Sequence, residues 1–430
     1  MRQRTGGENN GMKMQEHIRE RKKIFDENCS RCGACFTACP VVPFTHLAGS
    51  EPQKMTRGVL DMLTNGAPGE EAVTWATSCT LCGACVPRCP ESLNVRELFY
   101  LGRSAAEADG EAAQDYFTSM SHGIRLLAHL QMTAMDFRRL TDPLGWGTNK
   151  SEILLYYGCN VLRTPDILLT AIDVLHRLGV NFAVLGGPAN CCGSVHFRLG
   201  DIKRAEKVED LTYQRWLSFS PERVLLWCPN CEMHFLESGL RERRQPPFVI
   251  ENFAEFLAGR VAQLNSLYVR TVRKRAALHE HEGHQLENHV RKILLSVPGL
   301  ELVEIPQLKR YGYNCGKGSQ GMAPAEVQAE VHERLLEEAR AAGIDLLLTS
   351  NHACQISLCA YEAQQPFQIK NFLSVVGEAL GIERADLFKR YALCGDAEKV
   401  VETAAKFVRD NHLDTGRVKH DVARALAWGR

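Results

Sequence analysis

The 430-residue chain has no long apolar run: Ile153–Tyr157 and Leu346–Leu348 are of strand length, far short of the ~18 apolar residues of a membrane span. It has no net charge either. Its 51 Lys and Arg balance 51 Asp and Glu, which gives no electrostatic sign of nucleic-acid or anionic-membrane binding. The N-terminus, Met1 to Glu20, is polar and basic without an apolar core, so no secretory signal is expected. No G-x-G-x-x-G joins a strand to a helix, so a flavin or nicotinamide would have to sit on another protein. The 17 cysteines fall well below the composition of a disulfide scaffold. Reduced thiols in a cytoplasmic setting are expected.

What is present is cysteine in a repeated pattern. Cys29, Cys32, Cys35 and Cys39 precede Pro40, and Cys79, Cys82, Cys85 and Cys89 precede Pro90. Both blocks read C-x2-C-x2-C-x3-C-P, each member of the second 50 residues after its counterpart. This run is the bacterial signature of two 4Fe–4S cubanes. Three thiolates on a tight loop reach three irons of one cube, and the fourth, on the turn that follows, points to the other cube. The expected sets are Cys29, Cys32 and Cys35 with Cys89, and Cys79, Cys82 and Cys85 with Cys39. Two cubanes bridged in this way would pass electrons. The competing reading is two structural zinc sites, although zinc motifs usually separate their cysteine pairs.

The rest of the chain divides by pattern. Residues 1–23 are polar and unpatterned and are expected to be disordered. Residues 24–100 form the cysteine-block domain, with a helix within Pro52–Asn65 and a loop at Asn65–Gly69. Residues 101–150 read as a helical linker that buries Leu126, Leu127, Leu130 and Met132 and closes at Asp142-Pro143. Strands Ile153–Tyr157, Asn181–Leu185 and Arg223–Trp227 then alternate with helices Asp166–Leu178 and Ile202–Leu217, within a domain of residues 151–262. Cys159, Cys191, Cys192, Cys228 and Cys231 stand where these strands or their loops end. Loops at the carboxyl ends of parallel strands converge on one edge of the sheet, so the five can meet.

A second unit follows at 272–385, with strands Ala276–His279, Leu300–Ile305 and Ile344–Leu348 and helices Leu286–Leu295 and Ala325–Ala341. A shift of 123 carries the five cysteines onto Glu282, Asn314, Cys315, Asn351 and Cys354, which reads as an internal duplication without insertion across about 75 residues. Residues 386–430 are expected to be a helical extension.

The set Cys159, Cys191-Cys192-Gly193 and Cys228–Cys231 resembles the cysteine-rich, or CCG, domain of heterodisulfide reductases and of the iron–sulfur subunits of glycolate oxidase and anaerobic glycerol-3-phosphate dehydrogenase. The resemblance covers roughly residues 26 to 375. It implies an α+β chain: a helical, bacterial-type ferredoxin-like domain with two 4Fe–4S cubanes, then a duplicated α/β CCG domain. It also implies that the five cysteines hold a non-cubane 4Fe–4S cluster, where a disulfide is cleaved homolytically and one sulfur is captured on each half. Another iron–sulfur form, zinc or bare thiols are the competing readings; one tetrahedral zinc would leave a fifth thiol idle.

The second copy departs from that pattern. Only Cys315 and Cys354 survive, so a second five-thiolate cluster is ruled out there. The segment Thr349–Gln355 resembles the glycolate-oxidase branch, which also has asparagine at the Asn351 position. The metal of this copy is unknown. Either it has lost metal and persists as a packing partner, or Cys315 and Cys354 form a site supplemented by His279, His281, His284 and Glu282, or it docks substrate. Lys317 lies in a glycine-rich stretch that lacks phosphate-loop spacing and is assigned to the lining of the pocket. His196 and His234 read as surface or hydrogen-bonded histidines rather than ligands, and Cys359 and Cys394 as core packing.

These readings imply an oxidoreductase subunit, the electron-transfer component of a heterodisulfide-reductase-like complex. Electrons would enter from a flavoprotein or quinone-linked subunit and pass through the cubanes to the first CCG cluster, acting on a disulfide or thiol. The alternative is a relay without its own substrate, the iron–sulfur subunit of a flavin-dependent 2-hydroxyacid or glycerol-3-phosphate dehydrogenase feeding quinone. A cytoplasmic protein that reaches the inner face of a membrane only through a partner is expected.

Overall fold

The computed structural model describes residues 13–64, 66, 68–106, 111–142, 151–281, 286–305 and 325–427. Two parallel four-stranded sheets form its carboxyl-terminal two thirds. The first contains β1 (Ile153–Gly158), β2 (Phe182–Gly186), β3 (Arg223–Leu226) and β4 (Val249–Asn252), in the order β2-β1-β3-β4. The second contains β5 (Lys274–His279), β6 (Leu300–Val303), β7 (Leu346–Thr349) and β8 (Gln368–Asn371), in the order β6-β5-β7-β8. One topology is thus used twice. The edge strands β4 and β8 were not expected from sequence, because each is four residues long and alternates buried with more exposed positions.

Strand β1 is buried on both faces, as a central parallel strand should be. Ile153, Leu155 and Tyr157 enter one core, Leu154 and Tyr156 the other. The first of these cores is shared with the second lobe, through Leu278, Leu346 and Leu348. Helix Pro165–Arg177 packs on Phe372–Ala379, and Phe253–Ala258 packs on Leu286–Leu294. Each pairing joins the helix after one lobe's first strand to the helix after the other lobe's fourth, so the lobes face each other about a pseudo-two-fold axis.

The amino-terminal part is helical. Helices Met14–Asn28, Pro52–Leu63, Glu70–Ser78 and Val95–Ala106 share a core with Trp75, whose ring meets Phe36 and Phe99 edge-on at 5.0 and 4.8 Å. Phe197 of the first lobe enters the same core against Tyr100, with ring centroids 4.7 Å apart. Helix Glu111–His129 packs against Thr415–Ala427, and its Leu127, with Leu130 just beyond its end, joins Phe388, Tyr391 and Val422 in a separate core. The carboxyl-terminal helices therefore clamp the linker.

Two expectations are corrected. Residues 14–23 are not disordered: they belong to the Met14–Asn28 helix, which buries Met14, Ile18 and Phe25. These three apolar positions share one helical face, and the charged residues between them hid the stripe. The duplication is not free of gaps either. Ile153 pairs with Phe182 in the first sheet, but its counterpart Ala276 pairs with Leu302 in the second, so the second lobe is three residues shorter between its first two strands. The shift of 123 does hold between β1 and β5 and between β3 and β7, where Tyr156 faces Leu226 and His279 faces Thr349.

Candidate metal centre

The two cysteine-block loops adopt the same backbone conformation. Arg31 and Leu81 have φ of 60° and 55°, and Gly33 and Gly83 both have φ of 83°. Left-handed geometry at a residue with a side chain is strained, and its recurrence at matching positions marks loops shaped for a site. Cys29, Cys32, Cys35 and Cys89 line one small cavity with Thr56 and Pro90. Cys39 lies within electrostatic reach of Cys79, Cys82 and Cys85. Each block therefore sends its fourth cysteine to the other block's loop. Burial pushes the Cys79 thiol up to about 12 and the Cys35 thiol up to about 11, so a metal binding here must displace protons. Of the eight, Cys32 alone is exposed. Buried Arg103 donates from Nε to the Ala76 carbonyl at 2.9 Å and also reaches the Cys79 carbonyl, which fixes the second loop.

The five cysteines of the first lobe meet at the carboxyl edge of its sheet. Cys159 follows β1, Cys191 and Cys192 follow β2, and Cys228 and Cys231 open the Pro229–Glu237 helix after β3. Cys191 is hydrogen-bonded to Cys159 and Cys192, and Cys231 to Cys192 and Cys228. The hydrogen bond with Cys191, then burial, raises the Cys159 thiol, while its bonds with Cys159 and Cys192 lower Cys191. Tyr156 Oη donates to the Asn190 carbonyl at 2.8 Å and Thr212 Oγ1 to the Cys191 carbonyl at 2.7 Å, which pin the double-cysteine loop. Five contiguous sulfurs exceed the four ligands of one tetrahedral ion, and soft thiolates suit iron–sulfur clusters. The donor set fits a multinuclear iron–sulfur group.

Charged residues that no motif announced surround this set. Arg96, on the Val95–Ala106 helix, lies 3.2 Å from Glu237 and joins the amino-terminal domain to the first lobe. Arg198 feels the charges of Arg96, Glu237, Cys192 and Cys228. Arg163, completely buried, donates to the Ala425 carbonyl at 2.8 Å and feels the charge of Cys159; burial lowers it to about 10. Arg96 meets the site only through a contact distant along the chain, whereas Arg163 and Arg198 follow Cys159 and Cys192 closely but belong to no motif that would mark them. His196 and His234 are both buried, not at the surface. His196 Nδ1 lies 3.9 Å from Asp201, and His234 Nε2 lies 3.1 Å from Glu209.

The second lobe has different chemistry at the same edge. Asn351, in the place of Cys228, caps the His352–Leu358 helix: its Oδ1 accepts from the backbone of Ala353 and Cys354 at 2.9 and 3.1 Å. His279, His281 and Cys354 converge, their ligand atoms all within 4.8 Å of one another. Glu282, His284, Asn314, Cys315 and Lys317 lie outside the described residues. Cys359 is buried in the carboxyl-terminal core and Cys394 is half-buried against it, as core packing requires.

Comparison with known proteins agrees with this division. Residues 28–94 match a 4Fe-4S dicluster domain, and residues 153–236 and 279–359 each match a cysteine-rich domain. The chain is 23% identical over 397 residues to one component of the dihydromethanophenazine:CoB–CoM heterodisulfide reductase of Methanosarcina mazei, covering 83% of this chain and 94% of that protein. It is 26% identical over 370 residues to one component of the fumarate reductase (CoM/CoB) of Methanothermobacter marburgensis, covering 80% of this chain and 69% of that one. It is also 23% identical over 238 residues to the EtfAB:quinone oxidoreductase of Syntrophomonas wolfei, covering 52% of this chain and 32% of that protein.

Proposed function

This chain is a heterodisulfide-reductase-like iron–sulfur protein, a 4Fe-4S dicluster domain joined to two cysteine-rich domains, and we propose that it exchanges electrons between a redox partner and a disulfide or thiol bound at the first lobe. The observation that carries this reading is the convergence of Cys159, Cys191, Cys192, Cys228 and Cys231 beside the dicluster domain. The dicluster cysteines would hold two cubanes, and the five first-lobe cysteines one non-cubane 4Fe–4S cluster. When bound, these groups supply one-electron transfer at iron.

The chain's own residues supply the rest. Burial of Cys191, Cys192, Cys228 and Cys231 keeps water from the sulfurs. Arg198 and Arg163 offset the negative charge that five thiolates gather. Arg96 touches Met233 and Glu237, and a Cβ on Gly83 would lie 3.1 Å from its Cδ, so the Cys79–Cys85 loop is the one that abuts the first lobe. The set containing exposed Cys32 is then the side on which a flavoprotein or quinone-linked subunit docks. None of the helices in the described residues is long and apolar enough to cross a membrane. We place the protein in the cytoplasm, held at a membrane's inner face only by a partner.

The second reading is a relay without its own substrate, feeding quinone from a flavin-dependent 2-hydroxyacid or glycerol-3-phosphate dehydrogenase. Replacement of Cys228 by a helix-capping Asn351 in the second lobe favours it. Metal and sulfide analysis with EPR on anaerobically purified protein separates the two. About twelve irons per chain, with a thiol-responsive signal lost in Cys192→Ser, is the outcome expected for a substrate-reactive first lobe. About eight irons, with spectra that ignore both thiols and the substitution, leaves only the relay.

A further inference from the structure

His281 occupies the second-lobe position that Gly158 holds in the first. Tyr156 and His279 end equivalent ladders, opposite Leu226 and Thr349, and Gly158 and His281 each follow two residues later. Cys231 and Cys354 likewise lie five residues beyond Leu226 and Thr349. In the first lobe a Cβ at Gly158 would come within 2.9 Å of the Cys231 sulfur, so glycine leaves that space to thiols. In the second lobe the space holds an imidazole, whose Nε2 lies 3.3 Å from Cys354 Sγ.

The donor atoms are poised. His281 Nδ1 lies 3.0 Å from Glu287 Oε1, so the carboxylate orients the ring and leaves Nε2 directed at the thiol. This carboxylate–histidine arrangement is what typically stands behind a metal-bound imidazole. His279 is 0% exposed, and neither of its ring nitrogens has a hydrogen-bond partner among the described residues. An imidazole buried without a partner keeps the full cost of losing its water unless something polar meets it. His281 and Cys354 are 3% and 0% exposed, so the three donors face one another away from solvent. A tetrahedral zinc with Zn–N of ~2.1 Å and Zn–S of ~2.3 Å would separate nitrogen and sulfur by ~3.6 Å. The 3.3 Å gap between His281 and Cys354 needs only a small outward shift.

We propose that His279, His281 and Cys354 form a mononuclear site for a divalent transition-metal ion of the zinc class. Two imidazoles and one thiolate are borderline-soft donors, which suit zinc and exclude calcium or magnesium. The ion ties the end of β5 to the start of the His352–Leu358 helix, at the second-lobe edge equivalent to the one where the first lobe gathers its five thiols. The site is independent of what the first lobe binds.

The test is the metal content of full-length protein produced anaerobically in zinc-supplemented medium, and the absorption of protein produced with cobalt. One zinc per chain beyond the iron is expected, absent in Cys354→Ser and His281→Ala with iron unchanged, and retained in Cys192→Ser. Cobalt-loaded wild type should show a thiolate-to-cobalt charge-transfer band that added zinc abolishes. His279→Gln, a milder change, should weaken cobalt binding at least tenfold while keeping the iron and the thermal unfolding profile of an intact fold. Wild type without zinc or a cobalt band overturns the proposal and leaves a hydrogen-bonded Cys354–His281 pair. Zinc that persists in both Cys354→Ser and His281→Ala overturns it as well, as does loss of a cluster's iron on substituting Cys354. If neither of those variants folds, wild type and Cys192→Ser decide: a cobalt band absent from Cys192→Ser assigns the ion to the first lobe and overturns the site.

Discussion

A Cβ on Gly158 would stand 2.9 Å from Cys231 Sγ and 3.2 Å from Cys228 Cβ. The glycine also holds φ at +75°, in the region that side chains avoid. Space for the sulfurs and the turn after β1 are thus one requirement. We predict that Gly158→Ala loses the iron of the first lobe while the dicluster iron stays. Iron quantification with EPR checks this, and a full iron complement would refute it.

The half-buried guanidinium of Arg198 is the positive charge that Cys192 and Cys228 both feel. A cation beside a cluster stabilises its reduced form. Arg198→Gln is expected to move the first-lobe reduction potential negative, on the order of 60 mV if the interaction is worth tenfold in a one-electron couple. The dicluster potentials should move much less. Potentiometric EPR titration measures both, and equal shifts would mean a structural effect.

Glu209 and Arg243 form an ion pair with both side chains at 0% exposure, supported by Ser238 Oγ donating to Glu209 at 2.6 Å. Burial opposes ionisation of Glu209, yet His234, Arg243 and Ser238 hold its carboxyl below the ordinary value. Removing one partner strands a buried charge. Arg243→Met is predicted to destabilise the first lobe by about 3–5 kcal/mol, read as a lower urea midpoint. A change under about 1 kcal/mol would show that the pair is replaceable.

Asp166 Oδ1 is buried with no hydrogen-bond partner among the described residues. Burial first, and then the charge of Asp386, push its carboxyl well above the usual 3.8; burial raises Asp386 too. Folding therefore takes up protons here. The stabilising contribution is complete below the unfolded value of about 3.8 and is lost as pH rises through the raised native value. Asp166→Asn should melt higher than wild type at about pH 8, with the advantage shrinking towards pH 5. A difference independent of pH would place the effect in packing instead.

Much of the fold was legible from local pattern. The near-continuous apolar runs at Ile153–Tyr157 and Leu346–Leu348 give buried strands, because parallel strands are covered on both faces. The Ala325–Ala341 helix agrees with its expected limits. The Met14–Asn28 helix escaped notice because its apolar face is three residues wide and becomes meaningful only against the core that receives it. The short strands β4 and β8 escaped because pairing, not composition, makes them strands.

By itself the sequence determined which atoms are available: two cysteine blocks 50 residues apart, five thiols at strand ends in one lobe and few in the other. Spacing of this kind is local, and backbone geometry converts it directly into loops that gather sulfur. Only the tertiary structure decided which distant groups complete each site. It set Arg198 beside Cys228, joined Arg96 to Glu237, and brought His279 and His281 to Cys354. Those contacts come from sheet register and crossover packing, in which a three-residue deletion or a single glycine changes what meets. The physical reason is that such contacts span tens of residues of chain, a distance over which only the folded core fixes position.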